Sequence, residues 1–178
     1  MKFSRLIACL AVAAAVTAAC ASHSGSVSTP SAAAGSPTAT SRAAPPQLQF
    51  TVKTIDGQDF SGESLLGKPD VLWFWAPWCP VCRGEAPAMG QIAAAHPAVT
   101  FVGVAGLDKL PAMQQFVSKY RVNGFTQLAD TDGSVWAKFG VTHQPAYAFI
   151  RPDGGIDVVK GPLSDQQLSQ RVTALVNP

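Results

Sequence analysis

Residues 73–87, "WFWAPWCPVCRGEAP", place three tryptophans, three prolines and two cysteines in one short stretch. The segment begins inside "VLWFWA" (Val71 to Ala76), a continuously apolar run rich in β-branched and aromatic residues. Such a run reads as a strand covered on both faces. Pro77 ends it, and from Cys79 to about Ala95 the pattern turns helical, with Pro80 in the first turn, where its missing N–H costs nothing. Two cysteines at i and i+3 can close a disulfide across that first turn. The helix N-terminus favours an anion, so the first sulfur is the better thiolate, nucleophile and leaving group. Cys79 is therefore the attacking or attacked sulfur, and Cys82, one turn deeper, the resolving one.

Outward from this motif the pattern alternates. "LQFTVKT" (Leu48 to Thr54) alternates like a half-buried strand, Asp56-Gly57 supplies a turn, and "GESLLG" (62–67) a short helical turn. "VTFVGVAG" (Val99 to Gly106) is a second buried strand, and Leu110 to Tyr120 a helix. "FTQLAD" (125–130) reads as a short strand and "GSVWAKFG" (133–140) as a short helix closed by Gly140. "PAYAFI" (145–150) and "IDVVKG" (156–161) are two strands joined by the turn "PDGG". The final amphipathic helix covers residues 164–176, with Ser164 as N-cap. Strands alternating with helices, then a hairpin and a helix, predict an α/β sheet with helices on both faces. The aromatic strand is expected to hold the motif at a sheet edge.

The front of the chain is of another kind. Lys2 and Arg5 form a basic n-region, and Leu6 to Ala19 run without a charge, too short to span a bilayer as a stop-transfer helix. Residues 1–19 read as a signal peptide, with Cys9 leaving inside it. "VTAAC" (Val16 to Cys20) resembles the lipobox of bacterial lipoproteins, with Thr17 where that motif has Leu or Val. The resemblance implies lipidation of Cys20 and a place on the outer face of the cytoplasmic membrane; a cut after "ACA" would give a secreted soluble protein. Residues 20–46 are expected to be a disordered tether, since 23 of the 26 positions after Cys20 are Ala, Ser, Thr, Pro or Gly.

Residues 47–178 form the folded domain. They carry ten Lys and Arg against eleven Asp and Glu, with no basic run for nucleic acid. After export the domain holds only Cys79 and Cys82. One two-residue loop is not a disulfide framework, and His96 and His143 are not at zinc-finger spacing. The structural readings recede and redox chemistry gains.

The motif in this context resembles the active-site segment of the thioredoxin superfamily, in its exported TlpA/ResA/DsbE branch, and is most similar to the DsbE/DsbF-like lipoproteins of actinobacteria. The resemblance covers essentially all of residues 47–178. It implies a thioredoxin fold with a βα insertion within 105–140, and a redox-active Cys79–Cys82 couple without cofactor or metal. The substrates it implies are thiols or disulfides of exported proteins, with a membrane redox partner resetting the pair.

The resemblance also implies a cis-proline at Pro145, facing the cysteines and shaping a substrate groove, with Gln144 offering backbone groups to a bound peptide. Trp78 would flank the first sulfur, and the Pro80-Val81 dipeptide would tune the potential. Trp73 stands where thioredoxin has a buried aspartate. Glu85, three residues after the second cysteine as in the ResA-like branch, would take the proton from Cys82 as exchange proceeds; otherwise it complements its helix end. Trp73, Phe74 and Trp75 are read as core.

Direction stays open at this level: disulfide formation in exported proteins is favoured, with a reductase of cytochrome c maturation or thiol repair as alternative. A copper- or haem-binding lipoprotein using Cys79, Cys82 and His143 ranks lower. So does a peroxidase relative, which needs a Thr where Ala76 stands.

Overall fold

The computed structural model describes residues 43–177. The expected signal peptide, Cys20 and nearly all of the tether lie outside these residues. The described residues start slightly before residue 47. Pro45 and Pro46 open a 3-10 turn over Pro46–Leu48, in which Leu48 N–H donates to Pro45 O at 2.8 Å and Leu48 is fully buried. The strand expected from Leu48 is therefore short, because the two prolines commit the chain to a turn first. It runs over β1 (Thr51–Lys53) and pairs antiparallel with β2 (Asp59–Ser61), which the sequence reading did not separate from its turn. A second 3-10 turn, Gly62–Leu65, follows.

The main sheet has five strands: β3 (Asp70–Trp75), β4 (Thr100–Gly106), β5 (Thr126–Asp130), β6 (Ala146–Ile150) and β7 (Ile156–Lys160). Their order is β5-β4-β3-β6-β7, with β3, β4 and β5 parallel and β6 and β7 antiparallel to their neighbours. The aromatic strand β3 is thus the central strand, which corrects the expected sheet edge. All six of its residues are buried because strands pair on both sides of it and helices or turns cover both faces. The helices are α1 (Pro80–Ala95), α2 (Leu110–Tyr120), α3 (Ser134–Lys138) and α4 (Asp165–Val176). Between β4 and β6 the chain makes α2, β5 and α3, one strand and one helix beyond a single crossover helix. The insertion expected within 105–140 falls here.

The pleat of β3 divides the core. Val71, Trp73 and Trp75 point with Met89, Met113, Phe116, Leu168 and Val172 into the layer formed by α1, α2 and α4. Leu72 and Phe74 point the other way, against Leu48, Leu65, Val135, Trp136 and Phe139. Trp73, Trp75, Phe116 and Tyr120 form an aromatic cluster: Trp75 stacks on Phe116 at 4.1 Å, Trp73 lies 5.8 and 6.2 Å from these two rings, and Tyr120 lies 4.6 Å from Phe116. Buried indoles need a hydrogen-bond acceptor. Trp75 Nε1 donates to Gln127 Oε1 at 3.1 Å, and Gln127 Nε2 donates onward to Val122 O at 2.7 Å. Gly103 makes room for this pair, since a Cβ there would run into the Gln127 side chain. Buried Asp130 accepts from the backbone of Val135 and Trp136 at 3.1 and 2.8 Å and so caps α3. Ser164 caps α4 through a full capping box with Gln167.

Candidate active site

Parallel and antiparallel register brings three segments to the carboxyl end of β3. Trp75 pairs with Ala105, so Gly106 and Leu107 lie level with Ala76 and Pro77. Phe74 pairs with Ala146, so Pro145 lies level with Trp75. The chain leaves β3 through buried Ala76, and Cys79 N–H donates to Ala76 O at 3.1 Å. Cys79 is the N-cap of α1 and is joined to Cys82 as a disulfide, with Cα atoms 5.3 Å apart.

The sulfur of Cys79 accepts the Cys82 N–H at 3.1 Å, one of the donors that a helix N-terminus leaves free. Cys79 and Cys82 are 3% and 0% exposed, so position on the helix separates the two sulfurs more than exposure does. Pro80 at the first helical position and half-exposed Val81 complete the loop.

The rim is apolar. Trp78, Val81 and Leu107 are each about half exposed, and the Trp78 indole donates to Leu107 O at 3.1 Å. Leu107 has φ 60°, an unfavourable left-handed conformation for a bulky side chain. Sequence reasoning missed Leu107, because nothing in "AGLDK" announces a left-handed leucine. On the other side the Gln144–Pro145 bond is cis, Pro145 is buried, and its carbonyl accepts Gly161 N–H at 2.9 Å. Gln144 is half-buried beside it, while His143 is exposed and contacts Thr142 Oγ1 at 3.3 Å. Among the described residues no group of three or more His, Cys, Asp or Glu is placed to hold a metal.

Glu85 sits on α1 behind the disulfide. Its Oε2 accepts the Trp73 indole N–H at 3.3 Å, so the residue at the place of thioredoxin's aspartate serves as donor to this carboxyl. Oε1 is buried without a hydrogen bond, and so is the Tyr147 hydroxyl, although the two groups lie close enough to influence each other's protonation. Burial pushes the Glu85 carboxyl above its usual range; Tyr147, Trp73 and the Leu163 N–H pull it partly back, and the Asp165 carboxylate adds to the rise. Burial and the Glu85 charge hold the Tyr147 phenol well above its ordinary value. Tyr147 was absent from the sequence reading, which took "PAYAFI" only as a strand.

The AhpC/TSA family model matches residues 42–159. Soluble secreted antigen MPT53 of Mycobacterium tuberculosis is 54% identical over 138 residues, covering 76% of this chain and 79% of its own. Thiol-disulfide oxidoreductase ResA of Oceanobacillus iheyensis is 31% identical over 125 residues, 68% of this chain and 65% of its own. A solved structure of MTB dsbF in mixed oxidized and reduced forms is 72% identical, covers 74% of this chain and 98% of its own, and superposes with a TM-score of 0.73. The chain belongs to the AhpC/TSA family and is a thiol-disulfide oxidoreductase of the thioredoxin superfamily.

Proposed function

We propose that the chain is an exported oxidase that introduces disulfides into other exported proteins. The observation that carries this reading is the Cys82 N–H on Cys79 Sγ at the N-terminus of α1. A sulfur held there is stabilised as a thiolate, which stabilises the reduced form and makes the disulfide the stronger oxidant. In the forward direction a substrate thiolate attacks Cys79 Sγ, the Cys79–Cys82 bond breaks, and its electron pair leaves on Cys82. Glu85 passes its proton to that sulfur. A second substrate thiolate then attacks the substrate sulfur of the mixed disulfide and releases Cys79 as a thiolate. The substrate is oxidised by two electrons and the Cys79–Cys82 pair is reduced by two.

In this reading the apolar rim of Trp78, with Gln144 and Pro145 across the motif, holds the substrate backbone, and Pro80-Val81 tunes the potential. Equilibration with glutathione buffers tests the direction. A potential well above the thioredoxin value of about −270 mV, with disulfides appearing in reduced substrate, is the expected result. A potential near that value without disulfide gain would overturn it.

Export is supported by the leader and by the secreted relative. No helix of the described residues is long and apolar enough to cross a membrane. We further propose anchoring through lipidated Cys20 and resetting by a membrane redox partner. Expressed with its full leader, the chain should fractionate with membranes, and Cys20→Ser should release it; a soluble wild-type protein would favour simple secretion.

A further inference from the structure

One buried hydroxyl has no part in the exchange steps above, and the fold aims it at a group that does. Trp73 and Tyr147 are direct partners across the antiparallel β3–β6 pair, so their side chains stand side by side on the face against α1. Trp73 already donates to Oε2 of Glu85. Tyr147, fully buried, presents a hydroxyl with no hydrogen bond to the same carboxyl, whose Oε1 is equally buried and equally unpaired. A buried donor and a buried acceptor left apart is a costly arrangement unless another state of the molecule joins them.

We propose that Tyr147 is a positioning residue for disulfide exchange: when Glu85 gives its proton to the departing Cys82 sulfur, the Tyr147 hydroxyl turns to donate to Glu85 Oε1 and holds the new carboxylate beside Cys82. This rests on the reading of Glu85 as the proton partner of Cys82. The disulfide-bonded structure corresponds to the stage before transfer, in which a protonated carboxyl needs no second donor. After transfer the carboxylate has two side-chain donors, the indole on one oxygen and the phenol on the other. The groups that face Glu85 are Trp73 from β3, Tyr147 from β6, the Leu163 N–H from the turn before α4, and the Asp165 carboxylate from α4 itself. Of these only Asp165 opposes ionisation, and Tyr147 is the side-chain donor that lies near the carboxyl without a hydrogen bond of good geometry in the oxidised form.

The test compares wild type, Tyr147→Phe, Glu85→Gln and the double variant in three measurements: thermal stability of the oxidised form, the pH profile of exchange, and the reduction potential. Tyr147→Phe should not lower the oxidised Tm and can raise it, because the lost hydroxyl is buried there without a good hydrogen bond. It should move the Glu85 limb of the pH profile up by about one unit, since a donor that favours the carboxylate is gone. It should also disfavour the reduced form about tenfold, which is about 30 mV toward more negative potential. In the Glu85→Gln background the same substitution should change neither quantity.

A Tyr147→Phe that only lowers the Tm, or whose effects persist without Glu85, would overturn the proposal while leaving Glu85 in its role. A pH profile that Glu85→Gln does not alter would overturn the reading of Glu85 itself, and the proposal with it.

Discussion

Cys79→Ser should reduce exchange to the uncatalysed rate, whereas Cys82→Ser should accumulate a stable mixed disulfide between Cys79 and its substrate. The two sulfurs are nearly equally buried, so the prediction rests on the helix. Cys79 is the N-cap, and its sulfur already accepts a backbone N–H at 3.1 Å. A thiolate there is stabilised by the free donors and by the macrodipole, whereas Cys82 lies a turn inside. With Ser at 82 the Cys79 thiolate attacks a disulfide-bonded substrate, the reverse of the oxidase step, and the adduct persists because no Cys82 thiol is there to expel the substrate. Non-reducing gels and intact-mass measurement distinguish the outcomes. Adducts on Cys82 in the Cys79→Ser protein would reverse the assignment. Neither substitution should cost much stability, since a bridge between residues three apart closes almost no chain entropy.

Asp70→Asn is expected to raise stability at pH 8 by roughly 2–4 kcal/mol and to leave it nearly unchanged at pH 4. Asp70 opens β3 at the pole opposite the cysteines, fully buried, and neither carboxylate oxygen has a hydrogen bond of good geometry. Burial raises its pKa from 3.8 to about 7, against partial relief from the neighbouring Thr100 hydroxyl and the Lys68 charge. The sign follows from proton binding. The folded state holds a proton on Asp70 that the unfolded chain releases, so stability is greatest below pH 3.8 and falls as pH rises toward about 7. A shift of this size corresponds to about 4 kcal/mol at full ionisation, less whatever the buried amide of Asn still costs. Glu85 and Asp130, also raised by burial, add slope of the same sign, so the variant flattens the profile without abolishing it. Denaturant unfolding at several pH values checks this; an unchanged slope in Asp70→Asn would place the ionisation elsewhere.

Asp70 also marks where reading the chain stops. In "GKPDVLWFW" it looks like a strand-edge acid in solvent, and only the pairing of Thr100 and Ile150 on its two sides encloses it. Local chemistry did set much else. The i, i+3 cysteines after an apolar strand and before a helix, the Ser164 capping box and the bounds of α2 all follow from interactions within one turn of chain. The family resemblance supplied Pro145 and Glu85, whose surroundings lie on other strands.

Contacts made at long sequence separation were decided by tertiary structure alone. The central place of β3 depends on which strands join its two sides. Trp78 meets Leu107 only because β3 and β4 run parallel in one register. Tyr147 reaches Glu85 only because β6 pairs with β3 so that Tyr147 stands beside Trp73. By itself the sequence determined the reactive turn and the elements that carry it, because these depend on backbone and side-chain preferences of neighbouring residues. The environment that governs protons around that turn was decided by strand register, a cooperative property of the whole sheet.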